Sequence, residues 1–363
     1  MLAPALLLIA ATANLPLALG GSVSADAGVE YDSNANRAPS DGSLGTEVTP
    51  RGGPLLRALT SGQLAYAQDR QRLRLQLQAG GKLFLTPNLQ DQDVAVIATT
   101  YEHGAQFERV RLTGLIDYYD AFQAPATLLE MRDFRSLSVL GRLSFARPIG
   151  GSPGADGVEP RRHRIDGGLD LGGQLFMFKP DSSFSFLAPS LSGRFGTALH
   201  AGDPELGHDF DLGAHFRIDY RGYMYGRTDI FIQTGASGTW QGPLLVQLGY
   251  TVQLDLSNET DQSYQRHLLL AKIGARLPGD IYLTAKTQLN LLQGAPGLYV
   301  PVSNIDDDNR SLALLDLARP LPRGFTLVLR YTGYFSLPSE SISPYQRHTA
   351  YVGASYAWKG QRR

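Results

Sequence analysis

Apolar and polar residues alternate at period two over runs of roughly 10 to 14 residues, and such runs tile the chain almost from end to end. From Ser22 to Asp32, Val23, Ala25, Ala27, Val29 and Tyr31 share one face, while Ser24, Asp26, Gly28, Glu30 and Asp32 share the other. In "RLRLQLQAGGKLFL", Leu73, Leu75, Leu77, Ala79, Leu83 and Leu85 oppose Arg72, Arg74, Gln76, Gln78 and Lys82. In "DFDLGAHFRIDYR", Phe210, Leu212, Ala214, Phe216, Ile218 and Tyr220 oppose Asp209, Asp211, His215, Arg217, Asp219 and Arg221. Further runs begin at Arg164, Leu244, Asp280 and Gly324. A soluble sandwich strand alternates in the same way, but it is usually about 5 to 6 residues long, whereas a tilted strand that crosses a bilayer needs about 9 to 11. No convincing helical period interrupts the pattern, which sets aside helical, α/β and solenoid folds. The expected fold is all-β, a transmembrane antiparallel up-and-down β-barrel.

The connections carry a second rhythm. A long polar loop, residues 33 to 53, follows the first strand, and only "QDRQ" follows the second. Short turns recur at "HGAQ", "QGP", "PGD" and "RPLPRG", and long loops at "SNETDQSYQ", "QGAPGLYVPVSNIDDDN" and "LPSESISPYQ". In membrane barrels the periplasmic turns are tight and the outer loops long, so a chain entering from the periplasm places its first loop outside. At this rhythm the count is about sixteen strands, with fourteen and eighteen as neighbouring possibilities. "RPIGGSPGADGVEPRRHR" falls where a short turn is due, and its Gly and Pro content reads as a flexible insertion at 147–164.

Residues 1–20 precede the barrel. The stretch from Met1 to Leu19 holds no charged side chain and is broken by Pro4 and Pro16, which suits a signal peptide better than a membrane helix. Cleavage is expected after Ala13 or Gly20, and the barrel is read as residues 21–363. No basic residue precedes the apolar run, a departure from the usual leader. With no cysteine the chain has neither disulfides nor a thiolate metal site, and a net charge of -1 argues against nucleic acid as a partner.

The first strand ends in "VEYDSNANRAP", a Tyr-Asp-Ser-Asn turn after a run of small residues. It resembles the first strand of the barrels of exopolysaccharide-export porins, which usually carry periplasmic helical repeats. The resemblance covers that strand and the barrel plan only. It implies a conduit, and it implies that a separate periplasmic export protein does what fused repeats do elsewhere. The end of the chain, "TAYVGASYAW", puts Ala350, Val352, Ala354, Tyr356 and Trp358 on one face. This is similar to the C-terminal signal by which bacterial outer-membrane barrels are recognised by the insertion machinery, except that "KGQRR" follows the aromatic.

The polar faces supply the candidate lining of an aqueous lumen. Its positive members are Arg57, Arg72, Arg74, Lys82, Arg109, Arg111, Arg142 and Arg194; its negative members are Asp117, Asp166, Asp170, Asp211, Asp219 and Asp255. Phe84, Tyr119, Phe176, Tyr282 and Tyr334 fall on the same face. A mixed lining suits a hydrated path for polar solutes or sugars. The same charges also suit ladders of ion pairs that stiffen the wall, and the rings suit packing inside the bore better than stacking on sugars.

Signals for catalysis are weak. His215 lies among aspartates, and His200 and His208 flank "AGDPELG", but no G-x-S-x-G or H-E-x-x-H motif is present. The aspartate run 306–308 reads as a solvated loop rather than a cation site. The sequence therefore points to an outer-membrane channel without cofactor or metal, in contact with lipid and lipopolysaccharide. Export of polysaccharide or a related polar polymer is preferred over general solute uptake, and a barrel lipase or protease or an adhesion barrel stands as the alternative from another class.

Overall fold

The computed structural model describes residues 19–35, 50–68, 71–87, 89, 91–103, 110–123, 134–149, 163–178, 182–201, 207–259, 262–294, 310–336 and 346–361. Within these, the side chains of 19, 68, 110–123, 134, 145–149, 178, 184 and 361 are not described. Sixteen strands close into one barrel, each pairing antiparallel with its sequence neighbours and the last with the first. They are β1 (Leu19–Asp32), β2 (Gly53–Gln68), β3 (Gln71–Phe84), β4 (Gln92–His103), β5 (Val110–Gln123), β6 (Phe134–Ile149), β7 (His163–Phe178) and β8 (Phe186–Ala201). The second half comprises β9 (His208–Tyr223), β10 (Thr228–Gln241), β11 (Leu244–Ser257), β12 (Tyr264–Leu277), β13 (Ile281–Gly294), β14 (Ser311–Pro320), β15 (Phe325–Phe335) and β16 (Gln346–Gln361).

The register separates the two faces cleanly. Leu75 pairs with Leu64 and Thr99, while its neighbour Gln76 pairs with Gln63 and Ala98. The apolar partners point outward: Leu171 is 67% exposed and Leu212 is 62%. A continuous ring of exposed leucines is unstable in water and stable in hydrocarbon, where a closed barrel also leaves no unpaired strand edge. Aromatic residues flank this belt. Trp240, Phe325, Tyr356 and Trp358 stand near the short-turn end, and Tyr31, Tyr220 and Tyr331 stand toward the other. No helix among the described residues is long and apolar enough to cross a membrane, which says nothing about strands.

The rhythm of connections departs from expectation in two places. The link between β9 and β10, from Tyr223 to Thr228, is tight although it lies at the long-loop end. Strand β6 continues to Ile149 and β7 begins at His163, so Arg147 and Arg164 belong to strands and the unusual connection is shorter than 147–164. Its residues 150–162 lie outside the described set. Strand β1 starts at Leu19, which brings Leu19 and Gly20 into the barrel, opposite Tyr66 and Ala65. At the other terminus Lys359, Gly360 and Gln361 continue β16 and pair with Ser22, Gly21 and Gly20, so part of the tail after Trp358 is strand. The β12–β13 turn is closed by Asp280 at φ 58°, whose carboxylate accepts a bond from Arg276 Nη2 at 2.5 Å. That bond and the Arg276 charge hold the exposed Asp280 carboxyl below its ordinary range.

Candidate functional site in the barrel interior

The inward rows of the register carry Arg57, Arg72, Arg74 and Lys82 on β2 and β3, Arg142 on β6, Asp166 and Asp170 on β7, and Arg194 on β8. They also carry Asp211 and Asp219 on β9, Asp255 on β11, Tyr282 on β13 and Tyr334 on β15. Arg109 lies outside the described residues, as do the side chains of Arg111, Asp117 and Tyr119 and the aspartate run 306–308. These placements divide the interior into two zones that the alternation alone does not distinguish.

Toward the long-loop end the inward charges are buried and paired. Arg347 of β16 grips Asp32 of β1, with Nη2 2.6 Å from Oδ2 and Nε 3.0 Å from both oxygens, and both side chains are fully buried. Glu30 accepts from Lys82 Nζ at 2.8 Å and from Arg57 Nη1 at 3.4 Å. The Arg57 guanidinium also stands 5.3 Å from the ring centre of Tyr351, whose hydroxyl donates to Asp26 at 2.7 Å. That ring fits because Gly28 and Gly353 lie beneath it; a Cβ at either would come within 2.6 Å of it. Farther round, Arg142 pairs with Asp170, which also accepts from Ser192 Oγ at 3.1 Å. Arg221 bonds Asp255 at 2.7 Å and covers Phe231 at 4.1 Å, and Arg227 bonds Asp229 at 2.6 Å. Each cation neutralises a carboxylate on a neighbouring or near strand, so this zone is a brace with little net field.

Apolar side chains complete the brace. Val94 of β4 belongs to one buried cluster with Phe176 of β7 and Phe186 and Ala188 of β8. Phe176 and Phe186 stack at 5.0 Å, and Tyr223 of β9 adds a third ring 5.2 Å from Phe186. Strands that share no hydrogen bonds thus meet through their side chains, and the bore narrows there. Phe84 packs separately, against Ala35 and Leu55, and Tyr334 against Leu312. Phe84, Phe176 and Tyr334 are therefore packing residues; their buried faces are closed to a solute.

The short-turn half differs. Arg72, Arg74 and Arg194 are exposed to the bore, and among the described residues none of them makes an ion pair. Lys272 of β12 stands directly opposite Lys286 of β13, and the nearby Asp316 is held by Arg330 at 2.6 Å. Like charges facing each other across a ladder repel, so this pair requires water around it. Strand β3, with Arg72 and Arg74, lies across the barrel from β12 and β13 in the strand order. Of the inward carboxylates of this half, Asp211 makes no ion pair among the described residues, and Glu102 of β4 stands directly opposite Arg72. In "HLLLAKIGARL" leucines dilute the polar face that carries Lys272, while Lys286 lies within the alternating run that begins at Asp280.

The histidines are engaged locally. His215 Nε2 meets Gln233 Nε2 at 3.2 Å, and His200 Nδ1 lies 2.6 Å from Asp209 Oδ1. Among the described residues no group of three or more His, Asp or Glu is placed to hold a metal ion.

A closed wall with an apolar belt outside and a hydrated polar bore inside has one setting in which it is stable. The chain is an outer-membrane β-barrel. No family model matches the sequence, and no curated protein matches it. Among solved structures the barrel is similar to CdiB from Acinetobacter baumannii, at 9% identity and a TM-score of 0.46 over 95% of this chain and 61% of that one. It is also similar to OpdQ of Pseudomonas aeruginosa, at 8% identity and a TM-score of 0.38 over 94% of this chain and 98% of that one. A Rhodopseudomonas blastica porin mutant matches at 10% identity and a TM-score of 0.37 over 94% and 99%. The chain spans 61% of the length of CdiB.

Proposed function

We propose that this barrel is a passive outer-membrane channel for hydrated polar solutes. The observation that carries the reading is the half-open bore: uncommitted cations and amides face water in the short-turn half, while the opposite half is braced without being filled by a folded domain among the described residues. Sixteen strands enclose more space than their own side chains fill. An excess of fixed positive charge in the vestibule raises the local concentration of anions.

Within this reading the finer expectation is export of polysaccharide or a related polar polymer, with a periplasmic protein delivering it. The hydroxyl and amide groups of the lower wall support that class. The Tyr-Asp-Ser-Asn turn does not bear on it, because Asp32, Ser33 and Asn34 are occupied in joining β1 to β16. A general solute porin is favoured by a different observation, the meeting of Val94 with Phe176 and Phe186, which narrows the bore. Planar-bilayer recordings test the proposal. Purified barrel should give discrete ionic steps, and a wild-type barrel that inserts, folds and stays silent with and without periplasmic partners overturns it.

A further inference from the structure

We propose that the inner wall of β1 to β4 in the short-turn half is a binding subsite for the hydroxyl groups of sugar residues. A concavity of about 440 Å³ lies there, lined on its inward side by Ser22, Ser24, Ser61, Gln63, Gln76 and Gln78. Val96, Ala98 and Ala357 add a small apolar floor, and Lys359 stands at the edge. No carboxylate lines it.

Three features separate this patch from ordinary lumen polarity. First, it concentrates groups that both donate and accept, which is the pattern a ring of hydroxyls requires and a simple ion does not. Second, these groups are weakly committed. Gln76 Nε2 reaches Gln63 Oε1 only at 3.4 Å, a long contact, and Gln78 and Ser22 make no side-chain bond among the described residues. On the far wall, by contrast, Gln253 donates to Gln233 at 3.1 Å and Gln233 meets His215, so those side chains are linked to one another. Third, Ser24 and Ser61 share one hydrogen between their oxygens at 2.6 Å, which orients a hydroxyl pair toward the bore beside the glutamines. A sugar ring laid on the apolar floor places its C–H face on Val96 and Ala98 and its hydroxyls at the amides and serines. The volume accommodates a small number of rings, so the subsite is a waypoint along the bore.

This inference rests on the channel reading, and the test separates the two. Ion current through single barrels is recorded while a neutral oligosaccharide such as maltohexaose is added on the short-turn side. Concentration-dependent interruption of current is expected, insensitive to ionic strength because no charge is involved. Gln63→Leu with Gln76→Leu should weaken the block about tenfold, the loss of two hydrogen bonds, without changing the open-channel conductance greatly. Ser61→Ala should weaken it less, and a heat-modifiability gel confirms that each variant remains a folded barrel. Three results overturn the subsite while leaving the channel intact: no interruption by the neutral sugar in a conducting pore, an unchanged block in the double variant, or a block that requires an anionic sugar and fades with salt. Absence of any ion current is the separate failure of the channel reading.

Discussion

Arg347 on the last strand and Asp32 on the first hold each other through a two-toothed ion pair, 315 residues apart in sequence and with neither side chain exposed. Around it Asn34 N–H donates to Asp32 Oδ1, Asn34 Nδ2 donates to the Gln346 carbonyl, and Ser33 exchanges bonds with His348. The barrel is shut at this seam, and the polar break after Tyr31 exists to shut it.

Removing one member of the pair strands the other charge in a buried site. Asp32→Asn or Arg347→Gln should each lower the stability of the refolded barrel by about 3 kcal/mol, and the double substitution should cost less than the two together. Urea titrations in detergent measure this. Single variants within about half a kcal/mol of wild type, the range typical of surface substitutions, would show that the seam is held by backbone pairing alone.

The wall offers a sharper contrast between neighbours. Leu75 faces outward and Gln76 faces the bore, so Leu75→Arg should destabilise by about 2 to 4 kcal/mol and Gln76→Arg should be tolerated. Equal damage from both in the same titration is incompatible with the register between β3 and its neighbours.

Orientation follows from the loops. Residues 33–52 and 295–310 connect strands at one end and the Pro278–Asp280 turn lies at the other. Epitope tags within the two long connections should be labelled on intact cells, and a tag in the turn should not. Labelling of the turn alone inverts the barrel in the membrane.

Much of this was legible before the fold. Period two assigns the inward and outward faces because a strand places successive side chains on opposite sides, whatever its partners. The runs starting at Arg72 and at Leu244 therefore match β3 and β11 within a residue at each end. What alternation does not encode is the third dimension along the bore. Arg57 and Arg74 read alike in sequence, yet Arg57 is buried against Glu30 and Arg74 faces open water. The deciding partners, Glu30 for Lys82 or Arg347 for Asp32, come from register and closure, and no local pattern fixes either. The tight β9–β10 turn departs from the loop rhythm, and there Arg227 bonds Asp229 two residues on.

That division of the bore yields the prediction about permeation. Arg72, Arg74, Lys272 and Lys286 make no ion pair among the described residues, although Glu102 stands opposite Arg72 in the register, whereas Arg57, Lys82 and Arg347 are neutralised by carboxylates within hydrogen-bond reach. A fixed charge biases the ions in a pore only in so far as its field is not cancelled close by. Replacing Arg72, Arg74, Lys272 and Lys286 together by Gln should therefore move the reversal potential under a salt gradient toward the cation value, with little loss of stability because each position faces the lumen. Substituting Arg57 by Gln should do the opposite: it should destabilise the barrel and leave ion preference nearly unchanged in those molecules that fold. The two measurements together decide the matter. If the quadruple variant keeps the wild-type reversal potential while Arg57→Gln shifts it, then the selective region lies in the braced half, at the level of Val94 and Phe176, and the open half is only its antechamber.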